Sequence, residues 1–374
     1  MTNVLIFGSQ TDIGRELVKK LKDSYFINIV YIHIQTETVE DFGADWYEPF
    51  ARIKESTRNR LLTALKYEIR DAMNVFSLEM DYVINCHYQP LDGFNDAIIN
   101  STCNVIDSTL LATVCRENGF KGSFINLSSF AIYGTAPDGI KLKRDEAAFS
   151  IEVPRTDEDE DYQEKFGFDS TYGIAEKLEF APNKRSSYGL TMALREKNIA
   201  DLASDKYHVL TLRLPYMIQN SIREEYKPYM DRINILLDKL KNGETLISTY
   251  DNTDKCVYDF LTPLYVSNFI CDLIQNQDIV IGTYNIGSRF DNEFSELQLL
   301  KKLKEMEFEN IEHIKEFKDR ESPLAFYMAD CRNLENTLVD HATNLELADG
   351  LAGLIGYKLA EPNMMSNNTV NETD

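Results

Sequence analysis

The sequence lacks any apolar run approaching the roughly 18 residues that a membrane-spanning helix requires. Its first apolar run, Val4-Leu5-Ile6-Phe7, is too short for a signal-peptide core and follows no basic segment. Cysteine pairs are missing as well. The six cysteines (Cys86, Cys103, Cys115, Cys256, Cys271, Cys331) lie far apart, with no Cys-x-x-Cys, and several sit in apolar segments. That usage reads as reduced, buried thiols in a cytoplasmic protein. Five scattered histidines form no zinc constellation. Basic charge is scarce: 39 Lys and Arg against 61 Asp and Glu leave a formal net charge of −22. So acidic a surface repels phosphate backbones and anionic lipid, which argues against nucleic-acid and membrane partners.

Core material, by contrast, is ample. With 43% hydrophobic and 11% aromatic residues, global disorder is excluded, and 374 residues favour two subdomains over one. Continuous apolar runs at Val4–Phe7, Phe26–Ile32, Asp81–Cys86, Gly122–Leu127 and His208–Leu214 predict strands covered on both faces. Helical patterns separate them, as at Asn104–Arg116 and Gly189–Ala203. This alternation predicts an α/β fold with a doubly wound parallel sheet. Past Pro215 the pattern loosens. Helices are expected over Tyr229–Lys241, Tyr265–Gln275 and Ser295–Met306, with Ser295 as N-cap, and strands after Gly243 and over Ile279–Ile286.

The expected organisation is a Rossmann-like unit over 1–215 and a smaller C-terminal α/β unit over 216–360. Residues 257–287 are expected to return to the first unit. Residues 361–374 read as a disordered tail. An acidic insertion spans about 135–185; its run Asp157-Glu158-Asp159-Glu160-Asp161 reads either as a solvated loop or as a lid over a site.

Three segments bear chemistry. Gly8-Ser9-Gln10-Thr11-Asp12-Ile13-Gly14 joins a strand to a helix, where a glycine allows the turn and unpaired N–H groups can face a pyrophosphate. Ser128 and Ser129 end a strand at the sheet edge where open α/β folds bind ligands; they are either exposed to substrate or turning the chain. Tyr188 opens a helix. A tyrosine in a cleft transfers protons when a nearby cation lowers its pKa, but the residue one turn on is Met192. Arg195, two turns along on the same face, is the nearest candidate for that charge, although it starts about 5 Å further away.

Taken in order, these segments resemble the extended short-chain dehydrogenase/reductases, in particular the nucleotide-sugar epimerases and dehydratases. Phe7–Gly14 looks like that family's Gly-x-x-Gly-x-x-Gly turn, and Asp81–Asn85 like the strand before its adenosine-contacting segment. Asn104–Leu111 resembles the helix that opens Asn-Val-x-Gly-Thr. Phe124–Ser129, continuing to Tyr133-Gly134, matches the catalytic-serine strand. Tyr188-Gly189 opens the Tyr-x-x-x-Lys helix, and Leu212–Pro215 matches the strand after it. Thr283–Ser288 is similar to the Tyr-Asn-Ile-Gly strand, and Leu345–Leu354 to the closing helix.

The resemblance implies an NAD or NADP cofactor, a nucleotide-activated sugar as ligand, and a homodimer joined through the helices near 104–116 and 189–203. In that dimer Val105, Leu110, Leu111, Val114 and Leu194 would supply the contact, unless they face their own sheet. It implies Ser129 and Tyr188 as catalytic residues. Gly8, Gln10, Thr11, Asp12, Ile13, Gly14, Gln35, Cys86, His87 and Met192 would lie along the cofactor.

The departures from the family pattern all touch function. Thr11 stands for the middle glycine, His87-Tyr88 for a small pair beside the cofactor, Met192 for the lysine, and Tyr258 for a phosphate-binding arginine. Tyr172, five residues before Lys177, rivals Tyr188 for the tyrosine role. Two functions therefore stay open. The chain is an epimerase, dehydratase or reductase, or it is a catalytically degenerate relative that serves as a binding or assembly partner.

Overall fold

Thr2–Phe7 is buried along its whole length, with Val4 and Ile6 facing one core and Leu5 and Phe7 another. A strand that is apolar on both sides requires helices on both sides. The computed structural model describes residues 1–32, 55–74, 79–87, 101–133, 141–145, 148–152, 187–203, 205–218, 232–248, 257–288, 293–294, 296–308, 311–313, 326–327, 331–345 and 350–359.

The first part of the chain runs β1 (Thr2–Phe7), α1 (Asp12–Leu21), β2 (Ile27–Ile32), α2 (Glu55–Met73) and β3 (Tyr82–Asn85). A π-helical turn, Ser101–Asp107, leads into α3 (Ser108–Glu117), followed by β4 (Ser123–Ser129) and a 3-10 turn, Phe130–Tyr133. Next come the hairpin β5 (Lys141–Asp145) and β6 (Ala148–Glu152), α4 (Ser187–Ala203), β7 (His208–Leu214) and β8 (Tyr216–Met217). Then follow α5 (Arg232–Lys241), β9 (Leu246–Ser248), β10 (Val257–Leu261), α6 (Pro263–Asn276) and β11 (Gly282–Asn285). The last elements are β12 (Glu293–Phe294), α7 (Glu296–Glu305), β13 (Ile311–His313), β14 (Phe326–Tyr327), α8 (Arg332–Leu338) and α9 (Leu351–Leu359).

Six parallel strands form the central sheet in the order β11-β7-β4-β3-β1-β2. The expected α/β fold with a doubly wound parallel sheet is what the chain adopts. From β1 the sheet grows one way to β2 and the other way to β3. The carboxyl ends of β1 and β3 therefore flank a switch point, the place where such sheets bind ligands. One face packs Ile13, Leu17 and Leu21 of α1 with α6; the other packs Ile69 of α2, Leu111 and Val114 of α3, and Ile199 of α4. A third core joins Leu236 and Leu237 of α5, Phe260, Leu299 and Leu303 of α7, and Leu354 and Ile355 of α9. Among the described residues no helix is long and apolar enough to cross a membrane.

Several elements differ from their sequence-based expectation. The helix expected from Asn104 opens as a π turn and becomes α-helical only at Ser108. The residue that ends that turn, Asp107, makes no capping bond, because its carboxylate is engaged by His87. The helix expected over Tyr265–Gln275 runs over Pro263–Asn276 and buries nine residues: it lies between the sheet face and Leu334, Leu338 and Leu345, which join the same core. Thr262 caps it, accepting a hydrogen bond from the Tyr265 N–H at 3.1 Å. The closing helix is Leu351–Leu359 rather than Leu345–Leu354; it starts where the Gly350 carbonyl accepts from the Leu354 N–H. The strand expected over Ile279–Ile286 is confined to Gly282–Asn285. Within the acidic insertion, Lys141–Glu152 contains an antiparallel hairpin.

Candidate active site

The turn after β1 is tight because Gly8 has φ +88° and touches the end of β3: a Cβ on Gly8 would lie 2.5 Å from the His87 backbone nitrogen. No other residue fits there without moving β3. Thr11 is the N-cap of α1. Its hydroxyl donates to the Gly8 carbonyl at 2.9 Å and accepts from the Gly14 N–H at 3.1 Å. The side chain that replaces the middle glycine thus closes the turn and satisfies one of the helix's end donors. Asp12 follows in the first helical turn, paired with Arg15, which also donates to the Gln10 carbonyl at 2.9 Å. Burial raises the Asp12 carboxyl above the usual carboxylate range, against the pull of Arg15 and of Lys358 in α9. The Ile13 side chain is fully buried in the core, so only its backbone faces the turn.

At the neighbouring edge, Ser129 ends β4 and Tyr188 begins α4. The Ser129 hydroxyl accepts from the Ala131 N–H at 3.2 Å. Gly189 lies so close to the same residue that a Cβ would sit 2.1 Å from the Ala131 carbonyl oxygen. Ser129 and the start of the Tyr188 helix therefore meet on one residue, and both side chains are partly exposed. The helix start is further held by the Thr191 hydroxyl, which donates to the Tyr188 carbonyl at 2.8 Å and accepts from the Asn104 amide at 3.3 Å. Met192, in the lysine position, is 1% exposed and packs in the core with Tyr133.

Between these two edges lies a buried polar cluster. His87 is 1% exposed; its Nδ1 lies 3.0 Å from the Gln10 amide nitrogen and its Nε2 lies 3.2 Å from Asp107 Oδ2. A neutral imidazole protonated on Nε2 satisfies both contacts, accepting from Gln10 and donating to the carboxylate. The ring stands edge-on to Phe7. Arg195 is fully buried beside it: Nη1 donates to the His87 carbonyl at 2.6 Å, Nη2 to the Asn85 carbonyl at 3.0 Å, and Nε to Asn126 Oδ1 at 2.7 Å. Cys86 is buried too, and that burial pushes its thiol up to about 12, which leaves it unreactive at neutral pH.

No family model matches the chain, and no curated protein matches it. Solved structures do. The UDP-N-acetylglucosamine 4-epimerase of Methanobrevibacter ruminantium M1, in complex with UDP-N-acetylmuramic acid, superposes with a TM-score of 0.62 at 16% identity, covering 96% of each chain. The UDP-glucose 4-epimerase of Thermotoga maritima with UDP-glucose gives 0.63 at 16%, covering 96% of this chain and 97% of that one. The UDP-glucuronic acid 4-epimerase of Bacillus cereus with UDP-glucuronic acid and NAD gives 0.60 at 16%, covering 96% and 99%. The fold is theirs.

On this fold the sequence departures take on a pattern. Asp107 stands at the glycine of the Asn-Val-x-Gly-Thr segment and His87 at a small residue of the opposing strand end; the two replacements bond to each other. Arg195 supports the same histidine through its backbone. Asp107 was not singled out from the sequence, although an acidic residue at a glycine position was a usable signal. Glu196 was also missed. It takes three hydrogen bonds from Arg213, at 2.8 to 3.3 Å, and one from the Ser128 hydroxyl. Arg213 continues to the Tyr133 hydroxyl at 2.9 Å, which donates to Asn285 Oδ1 at 2.7 Å. Burial works against the Arg213 charge, but Glu196 and Tyr133 outweigh it and hold the guanidinium above its ordinary pKa. Ser128 is thus tied into the frame, while Ser129 is partly exposed and accepts from the Ala131 N–H. Gln35, Tyr88, Tyr172 with Lys177, and the acidic run 157–161 lie outside the described residues.

Proposed function

We propose that the chain is an NAD(P)-dependent epimerase, dehydratase or reductase of the extended short-chain dehydrogenase/reductase kind, acting on a nucleotide-activated sugar. The observation that carries this reading is the meeting of Ser129 and the Tyr188 helix on Ala131 at the carboxyl end of β4, with β3 between it and the Gly8 turn that follows β1.

The turn suits a dinucleotide pyrophosphate. Gly8 is forced into a positive-φ turn, α1 points its N-terminus there, and Ser9 Oγ is buried with no hydrogen-bond partner among the described residues. Gly8, Gln10, Thr11, Asp12, Ile13 and Gly14 would hold the phosphates, chiefly through backbone, with Gln35 toward the ribose. Cys86, His87 and Met192, all buried, would stand behind the nicotinamide side. The bound nicotinamide would accept and return a hydride. Ser129 then hydrogen-bonds the reacting sugar oxygen, and the Tyr188 phenol takes and returns its proton. The joining of Gln10, His87, Asp107 and Arg195 in one network supports a rebuilt site over an abandoned one.

In this reading residues 1–215 carry the cofactor and 216–360 the sugar nucleotide, and the protein works in the cytoplasm. Leu190 and Leu194 of α4 are 49% and 44% exposed, which supports a homodimer through that helix; Leu111 and Val114 instead face their own sheet. The test is thermal melting with NAD, NADP and a series of UDP- and dTDP-sugars, followed by turnover assays. The reading expects a nicotinamide dinucleotide to raise the melting temperature, and Tyr188→Phe to abolish turnover while keeping that rise. No stabilisation by either dinucleotide, with no nicotinamide in the purified protein, overturns it.

A further inference from the structure

A phenol acts as a base near neutral pH only beside a positive charge, and one turn beyond Tyr188 the helix offers buried, neutral Met192. We propose that Arg195 is the positioning residue that supplies this charge, favouring the ionised Tyr188 phenol from two turns along the same helix.

Four observations support the assignment. Seven residues are close to two full turns, so Tyr188 and Arg195 share a face of α4, about 10 Å apart along its axis. Arg195 is fully buried, so its charge acts through protein rather than water. Its three hydrogen bonds go to two backbone carbonyls and a side-chain amide, none to a carboxylate, and they use only three of its five N–H donors. The adjacent Glu196 is already occupied by Arg213 and Ser128. Burial therefore leaves a cation without a bonded anion. It pulls the guanidinium down to about 10, and among the groups that pull back Tyr188 comes first, ahead of Cys86 and Glu196. Asp107 reaches only the histidine ring, on the far side of the carbonyl that Arg195 holds.

This inference rests on Tyr188 being the proton-transfer group, yet its test needs neither cofactor nor substrate. Tyr188 is replaced by 3-fluorotyrosine in the full-length protein, and its phenol is titrated by fluorine NMR in the wild-type, Arg195→Lys and Arg195→Met backgrounds. In the wild type the midpoint should fall about one unit or more below that of 3-fluorotyrosine in an unstructured peptide. Arg195→Met should raise it to or above the peptide value, and Arg195→Lys should keep most of the depression. A wild-type midpoint at or above the peptide value overturns the inference, even should Arg195→Met fail to fold. So does an unchanged midpoint in a folded Arg195→Met protein. Dinucleotide binding, measured separately on the wild type, shows whether the cofactor reading fails while the dyad stands.

Discussion

Thr11 shows how a residue that breaks a motif still obeys local chemistry. A glycine would leave the Gly14 N–H to solvent or ligand; the threonine takes it and closes the turn on Gly8. Thr11→Ala should therefore lower stability by about 1 kcal/mol and Thr11→Gly by only a few tenths, read from the urea midpoint. His87 makes a sharper case. Truncating it to alanine strands Asp107, 7% exposed, without its donor, at a cost of about 1–3 kcal/mol. The double variant His87→Ala with Asp107→Gly should recover part of that loss; strictly additive losses would show that the two side chains do not act as a pair. None of this network is readable along the chain. Gln10 and His87 are 77 positions apart, Asp107 is 20 from His87, and Arg195 is 108 from it, so only the sheet brings them together.

Among the elements, legibility followed burial. The strands Thr2–Phe7 and His208–Leu214 read correctly because a sheet covered on both faces needs unbroken apolar runs; the edge strand Ile27–Ile32 has the same apolar run, although only its two end residues are buried. The helix Glu55–Met73 did not stand out, since its sequence is rich in charge; among its described side chains Ile69, Ala72 and Met73 are buried and Leu65 packs against the same core. The two-residue strands Glu293–Phe294 and Phe326–Tyr327 are too short to carry any period. Glu196 ties α4 to Arg213 of β7. Glu196→Gln should leave that largely buried guanidinium uncompensated and cost about 3 kcal/mol in chemical denaturation, a larger effect than any surface ion pair.

For the molecule as a whole, the return of the C-terminal segment to the first core is what makes one body of these parts. Asp278, just after α6, accepts from the Thr343 N–H at 2.7 Å and pairs with His341 at 3.4 Å. Burial opposes its charge, but those hydrogen bonds from Thr343 and His341 prevail and hold the carboxyl below its usual pKa. A depressed carboxyl stabilises the fold above its unfolded pKa of about 3.9 and loses that contribution as pH falls through the folded value. Asp278→Asn should thus be less stable than the wild type at pH 7, and the difference should shrink progressively as pH falls below about 4.

The most direct test of the account is a crystal structure of the protein grown with NAD and a UDP-sugar. It should show the pyrophosphate against the Gly8 turn and the sugar between Ser129 and Tyr188. Both ligands absent from that crevice at millimolar concentration, or Tyr188 turned away from a bound sugar, would contradict it.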